Sequence, residues 1–180
     1  MYIAEQLRTK NISEYLLYMW QVEDTMRAYR LDAERIATEY IPLFGLDEEK
    51  SKALKEWYES LIQMMREEWV TEQGHLQVNK NVLIMLTDLH QQLLKSSKQP
   101  FYSAAYYKAL PFIVELRSKG ESHDKGEIEN CFDALYGVML LRAQRKEISA
   151  ETAIAIDHIA KFIGMLSEYY KKDKAGDLDL

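Results

Sequence analysis

The stretch DEEKSKALKEWYESLIQMMREEWV, residues 47–70, decides the fold. Leu54, Trp57, Tyr58, Leu61, Met65 and Trp69 recur every three or four residues, the period of a helix that buries one stripe. Asp47, followed by Glu48 and Glu49, opens this helix with the acids that suit a helix N-terminus, and the pattern carries to about Val70.

The same period extends on both sides. A short helix over about Tyr2–Thr9 precedes one over about Ile12–Arg30, with Asn11 as N-cap and Glu14 three residues on. Asp32 starts a third that stops near Pro42. After Gly74 comes a fifth helix, about His75–Lys95, and then the loop Ser96–Pro100. The sixth, about Phe101–Ser118, contains Pro111, which removes the bond to the Tyr107 carbonyl and is expected to kink it. A charged loop, Lys119–Gly126, leads to a seventh over about Glu127–Lys146, and Ser149 caps the last, which runs to about Lys172. No segment alternates with period two, and no Asn-Gly or Asp-Gly turn joins two strands. The expected fold is all-α: one domain, residues 1–172, of seven or eight helices in two packed sub-bundles, with a frayed tail over 173–180.

A chain of 180 residues buries roughly 70% of its unfolded surface, so no metal or disulfide staple is needed. A net charge of −6 argues against nucleic acid, which wants a basic face. The one cysteine, Cys131, rules out an internal disulfide and points to a reducing, cytoplasmic setting. The first eight residues carry an acid and no long apolar run, unlike a signal peptide. No apolar run approaches the ~20 residues that span a bilayer, so no membrane is expected.

Six polar residues interrupt the apolar stripes. Glu23 sits among Leu16, Met19 and Met26, with Arg27 four residues on. His75, Asn79 and His90 share a face with Val82, Leu86 and Leu93. Arg117 continues the stripe of Tyr106, Leu110 and Val114, and Arg142 that of Cys131, Leu135 and Met139. A buried charge costs several kcal/mol unless paired, so these residues must answer to one another, to water or to a ligand. One reading is a structural network, in which Glu23 pairs with Arg27, Arg117 or Arg142. The other is a ligand site of Glu23, His75, Asn79, His90, Tyr106, Arg117 and Arg142, its arginines clamping a small anion.

Metal and nucleophilic chemistry fit poorly. Glu72 and His75 have the Glu-x-x-His spacing of di-iron bundles, but Gly74 lies between them and no second pair exists. His75 and His90 stand about 22 Å apart along one helix, His123 is in the charged loop, and His158 has no Glu three residues before it. Cys131, between Ile128 and Leu135, has the place of an inert core thiol, and no glycine-rich phosphate loop is present. No cofactor or metal is called for.

The segments Glu14-Tyr-Leu-Leu-Tyr-Met-Trp-Gln-Val-Glu-Asp24, Gly74-His-Leu-Gln-Val-Asn-Lys-Asn81, Leu86-Thr-Asp-Leu-His90 and Tyr102 to Arg117 resemble a family of small all-helical bacterial proteins, members of which come from gut anaerobes. Ala134-Leu-Tyr-Gly137 and Glu147-Ile-Ser-Ala-Glu151 fit it too, so the resemblance covers nearly the whole chain. That family is a domain of unknown function, and the resemblance implies a helical cytosolic protein with no assigned activity, cofactor or catalytic residue. The expected function is that of a non-enzymatic binding or protein-interaction module. The alternative is a binder of an anionic metabolite, or an enzyme, using the internal Arg/His/Glu/Tyr cluster. The last helix is apolar on two sides, through Ile156, Ile159 and Ile163 and through Ile154, Phe162 and Met165. It either packs against two partners within the fold or makes a homodimer contact.

Overall fold

The computed structural model describes residues 1–119 and 125–180, Lys119 by its backbone alone. Most of the charged loop, with His123, lies outside the described residues. The described chain is all-α, and it divides into two compact units. The first comprises Met1–Arg8 and Glu14–Asn81, and the second Thr9–Ser13 and Val82–Leu180.

The first unit holds most of α1 (Tyr2–Lys10) and of α2 (Ile12–Ala28), with α3 (Ala33–Arg35), α4 (Glu48–Glu67) and the opening turn of α5 (Gln77–Lys95). Local chemistry sets these boundaries. Asn11 Oδ1 accepts from Ser13 N at 3.1 Å, so α2 has its expected cap. Asp47 caps α4 by accepting from Lys50 N at 2.8 Å, with Glu48 and Glu49 in the first turn. The expected single helix from Asp32 to Pro42 is instead a short α-helix, a π-helical turn over Ile36–Tyr40 and a 3₁₀ turn over Ile41–Phe44. Pro42 has no N–H for the Thr38 carbonyl, and the Ile41 amide reaches back five residues to Ile36 instead. The core of this unit is Leu16, Met19, Trp20 and Met26 of α2, Ile36, and Leu54, Tyr58, Leu61 and Met65 of α4, all buried.

The second unit takes the rest of α5 with α6 (Pro100–Lys119), α7 (Glu127–Ala143) and α8 (Ala150–Ala175). α6 runs on through Pro111, packs along α8, and both meet α7. Ser149 caps α8 as expected, accepting from Thr152 N at 3.1 Å. The wide apolar face of α8 is largely used within the unit: Ile156, Ile159, Phe162, Ile163 and Leu166 are all buried. α8 ends three residues later than the sequence pattern marks, at Ala175, where Gly176 takes a φ of +75°. Beyond it Asp179 meets Lys98 and accepts from Gln99 Nε2 at 2.7 Å through its carbonyl. No helix among the described residues is long and apolar enough to cross a membrane.

Candidate functional site

In the first unit the structure brings together three of the residues singled out above. Glu23 on α2 is 0% exposed, and its carboxylate accepts three hydrogen bonds. His75 Nδ1 donates at 2.6 Å, Leu76 N at 2.9 Å and Asn79 Nδ2 at 2.7 Å. All three donors lie in the first turn of α5 or in the two residues before it. That helix has Leu76 where an N-cap would stand, and leucine cannot cap. Its exposed N–H groups are satisfied from elsewhere in the unit, by Glu23 and by Glu68, whose Oε2 accepts from Gln77 N at 2.6 Å. Two carboxylates at a helix N-terminus also meet its positive dipole end.

The Glu23–Arg27 pair expected from their spacing gives way to a different set of partners. Arg27 pairs with Asp24 at 2.8 Å and donates to the carbonyls of Val70 (3.0 Å) and Gly74. It thereby clamps both ends of the turn between α4 and α5. The His75 ring lies flat on Trp20, centroids 4.1 Å apart, and its side chain remains 23% exposed. Asn79 Oδ1 is buried and accepts no hydrogen bond among the described residues.

Next to the Val70 carbonyl that Arg27 holds stands Trp69. The sequence period puts Trp69 in the core, but it is 91% exposed. The period says which way a helical residue faces and is silent on where the helix stops. α4 ends at Glu67; the Val70 amide bonds back to the Met65 carbonyl at 3.0 Å, and Val70 takes the buried place. Trp69 is left at the residue after the cap with φ +59°, a left-handed position that helix ends normally give to glycine. One sequence signal was there to read: Glu67 and Glu68 are acids in the last turn, where the helix dipole disfavours them. With Glu72 they surround the indole with acidic residues along the chain.

The second unit brings together two more. His90 Nδ1 and the Tyr102 hydroxyl are 2.7 Å apart, and the His90 ring meets Tyr102, Tyr106 and Phe162 edge-on. Burial lowers the His90 pKa below its usual 6.5, against a weaker opposing pull from Glu127, and burial raises that of Tyr102. Tyr102 therefore keeps its proton and donates it to a neutral imidazole. Tyr106 donates to Glu127 Oε2 at 2.9 Å, and its own pKa is pushed up to about 12, chiefly by burial. Arg117 is half-buried on α6, lining an open cleft of about 410 Å³ with Ile113, Val114, Ser118 and Glu127. Arg142 does not point inward: it is exposed in the last turn of α7, where a side chain has no following turn to cover it. Cys131 is buried, and burial pushes its thiol up to about 12, as suits a core residue rather than a nucleophile.

The His90 shift has a measurable sign. Below pH 6.5 the unfolded chain takes up a proton at this residue that the folded chain resists, so stability drops as pH falls from 6.5 toward the lowered folded value. Urea unfolding is expected to show a midpoint that falls as pH drops below 6.5. The fall should be shallower in His90→Gln, whose amide oxygen still accepts from Tyr102; equal slopes would contradict the assignment.

Among the described residues no group of three His, Cys, Asp or Glu side chains is placed to hold a metal ion. Fold and site together define a small all-helical protein of two compact units, with a buried acid at the start of one helix and an exposed tryptophan at the end of the one before it. A family model described as a domain of unknown function (DUF4924) matches residues 1–177, and the chain belongs to that family. No curated protein and no solved structure matches it.

Proposed function

We propose that the protein is a non-enzymatic binding module that recognises a partner protein through Trp69. The observation that carries this is a 91% exposed tryptophan held in left-handed backbone. A non-glycine residue there costs about 1 kcal/mol, and an exposed indole returns nothing to the fold. Arg145 takes the same left-handed place after α7, so what sets Trp69 apart is the large exposed indole standing on such backbone, and strain of this kind gathers at binding sites. Tryptophan is also the residue most often found at the energetic centre of interfaces, above all when its backbone is fixed beforehand. Arg27, bonded to the Val70 carbonyl, and Glu68, bonded to the Gln77 amide, hold the chain on either side of Trp69. Glu67, Glu68 and Glu72 favour a partner whose apolar socket has a basic rim. The single buried cysteine supports a cytoplasmic setting for the module.

The test is Trp69→Gly. Glycine relieves the left-handed strain, so the variant should be more stable to urea by about 0.5–1 kcal/mol. The same variant should lose a partner that the wild-type protein retains on an affinity column, with Tyr107→Ala as the control from another exposed aromatic. Stability gained together with binding lost is the mark of a functional residue. Should Trp69→Gly keep every partner of the wild type, the proposal fails.

A further inference from the structure

A cleft of about 420 Å³ opens in the first unit among α1, α2 and α4. Tyr15, Met19 and Leu61 are buried residues that nevertheless line it, so they make its depth, while Trp57 and Met64 are half-buried along its sides. Small-molecule sites have this size and this lining: apolar and aromatic surface with a few polar groups converging on it.

The polar groups are the informative part. Arg8 lines the cleft with its guanidinium over the Tyr15 ring, 5.8 Å from the centroid, and makes no ion pair among the described residues. Tyr15 is 5% exposed overall, and its hydroxyl, which makes no hydrogen bond among the described residues, reaches solvent rather than being sealed in the core. A phenol in such a position keeps its proton: burial raises the Tyr15 pKa, more than the nearby Arg8 lowers it. An unpaired cation and an unpartnered hydroxyl donor therefore border one apolar space. A cation and a hydroxyl donor at the edge of an apolar cleft are the groups that hold an anion.

Glu5, three residues before Arg8 on α1, lines the same cleft and limits that anion's charge. A dianion would meet its repulsion, whereas a single negative charge can lie on the Arg8 side. We infer that this cleft binds an amphipathic monocarboxylate, its apolar or aromatic body against Tyr15, Met19, Trp57 and Met64 and its carboxylate held by Arg8 and the Tyr15 hydroxyl. Met19 and Met64, flexible and polarisable, accept bodies of different shape, so the site selects for the acid group rather than for one hydrocarbon.

Isothermal titration with octanoate and with 3-phenylpropanoate tests this, with octan-1-ol as the uncharged control. Both carboxylates should saturate one site on the wild-type protein. Arg8→Gln and Tyr15→Phe should each weaken them about tenfold, the loss of one charge-assisted hydrogen bond, and leave octan-1-ol unchanged. Arg8 is exposed, so its variant folds normally and carries the test if Tyr15→Phe does not. The inference is overturned if the carboxylates bind no better than octan-1-ol, or if Arg8→Gln binds them as tightly as the wild type does.

Discussion

Glu23→Ala is expected to remove about 3–5 kcal/mol of folding stability, the range for deleting one partner of a buried charged network. The size follows from what stays behind. Without the carboxylate, the His75 Nδ1–H, the Leu76 amide and the Asn79 amide group all lose their acceptor inside the protein. Each buried donor left unsatisfied costs about 1–3 kcal/mol. Against a total stability of about 5–15 kcal/mol this is a large share. Glu23→Gln separates charge from shape. Its single carbonyl oxygen cannot serve both sides of the original carboxylate, so it should fall between alanine and wild type. Urea denaturation at neutral pH gives all three values, and a loss below 1 kcal/mol for alanine would mean that water replaces the carboxylate. The start of α5 should also exchange its amide hydrogens faster in the alanine variant, since its cap is gone.

Phe162→Ala should cost a similar amount, about 3–5 kcal/mol, by a different route. Phe162 is buried on α8, with ring centroids of His90, Tyr102 and Tyr106 at 5.6, 5.7 and 5.6 Å. Truncation forfeits the transfer energy of the ring and leaves a void that this aromatic cluster cannot close without moving. The ring contacts, edge-on with His90 and tilted with both tyrosines, are worth roughly 0.5–1.5 kcal/mol per pair in addition. Guanidinium unfolding should show the loss, and near-ultraviolet dichroism should weaken because Tyr102 and Tyr106 lose a fixed neighbour. Tyr107→Ala on α6, at a ring 64% exposed, should stay within about 0.5 kcal/mol of wild type. If the two substitutions cost the same, Phe162 does not hold the cluster together.

The helices were legible in the sequence because the period of 3.6 was strong and the caps were ordinary: Asn11 and Ser149 both do what their residue types suggest. The period also found Glu23, His75 and Asn79, since each replaces an apolar residue on a buried stripe. It could not name their partners. Glu23 has Arg27 one turn away, and only the path of the chain after α4 shows that a backbone amide and an imidazole arrive first. Helix ends were the weak point. Trp69 and Arg142 both continue a stripe in the sequence, and both stand where the helix has run out or is about to. The pairing of Arg8 with Tyr15 was invisible for a related reason, because the two residues lie on different helices and neither breaks a pattern.

The chain does not hand the two units over at one point. Thr9–Ser13 belongs to the second unit although the first resumes immediately after it, and Ser13 Oγ reaches the Ile163 carbonyl at 3.5 Å and the Ser167 hydroxyl. A fragment begun at Val82 would start in the middle of α5 and lack those five residues, exposing the polar end of Ser167 to an unfilled gap. A fragment ended at Asn81 would carry a stub of α5 and a short stretch with no home. Recombinant halves are thus poor material for either unit, and a protease nick in the turn between α1 and α2 would injure the distant C-terminal helix as well as its own neighbourhood.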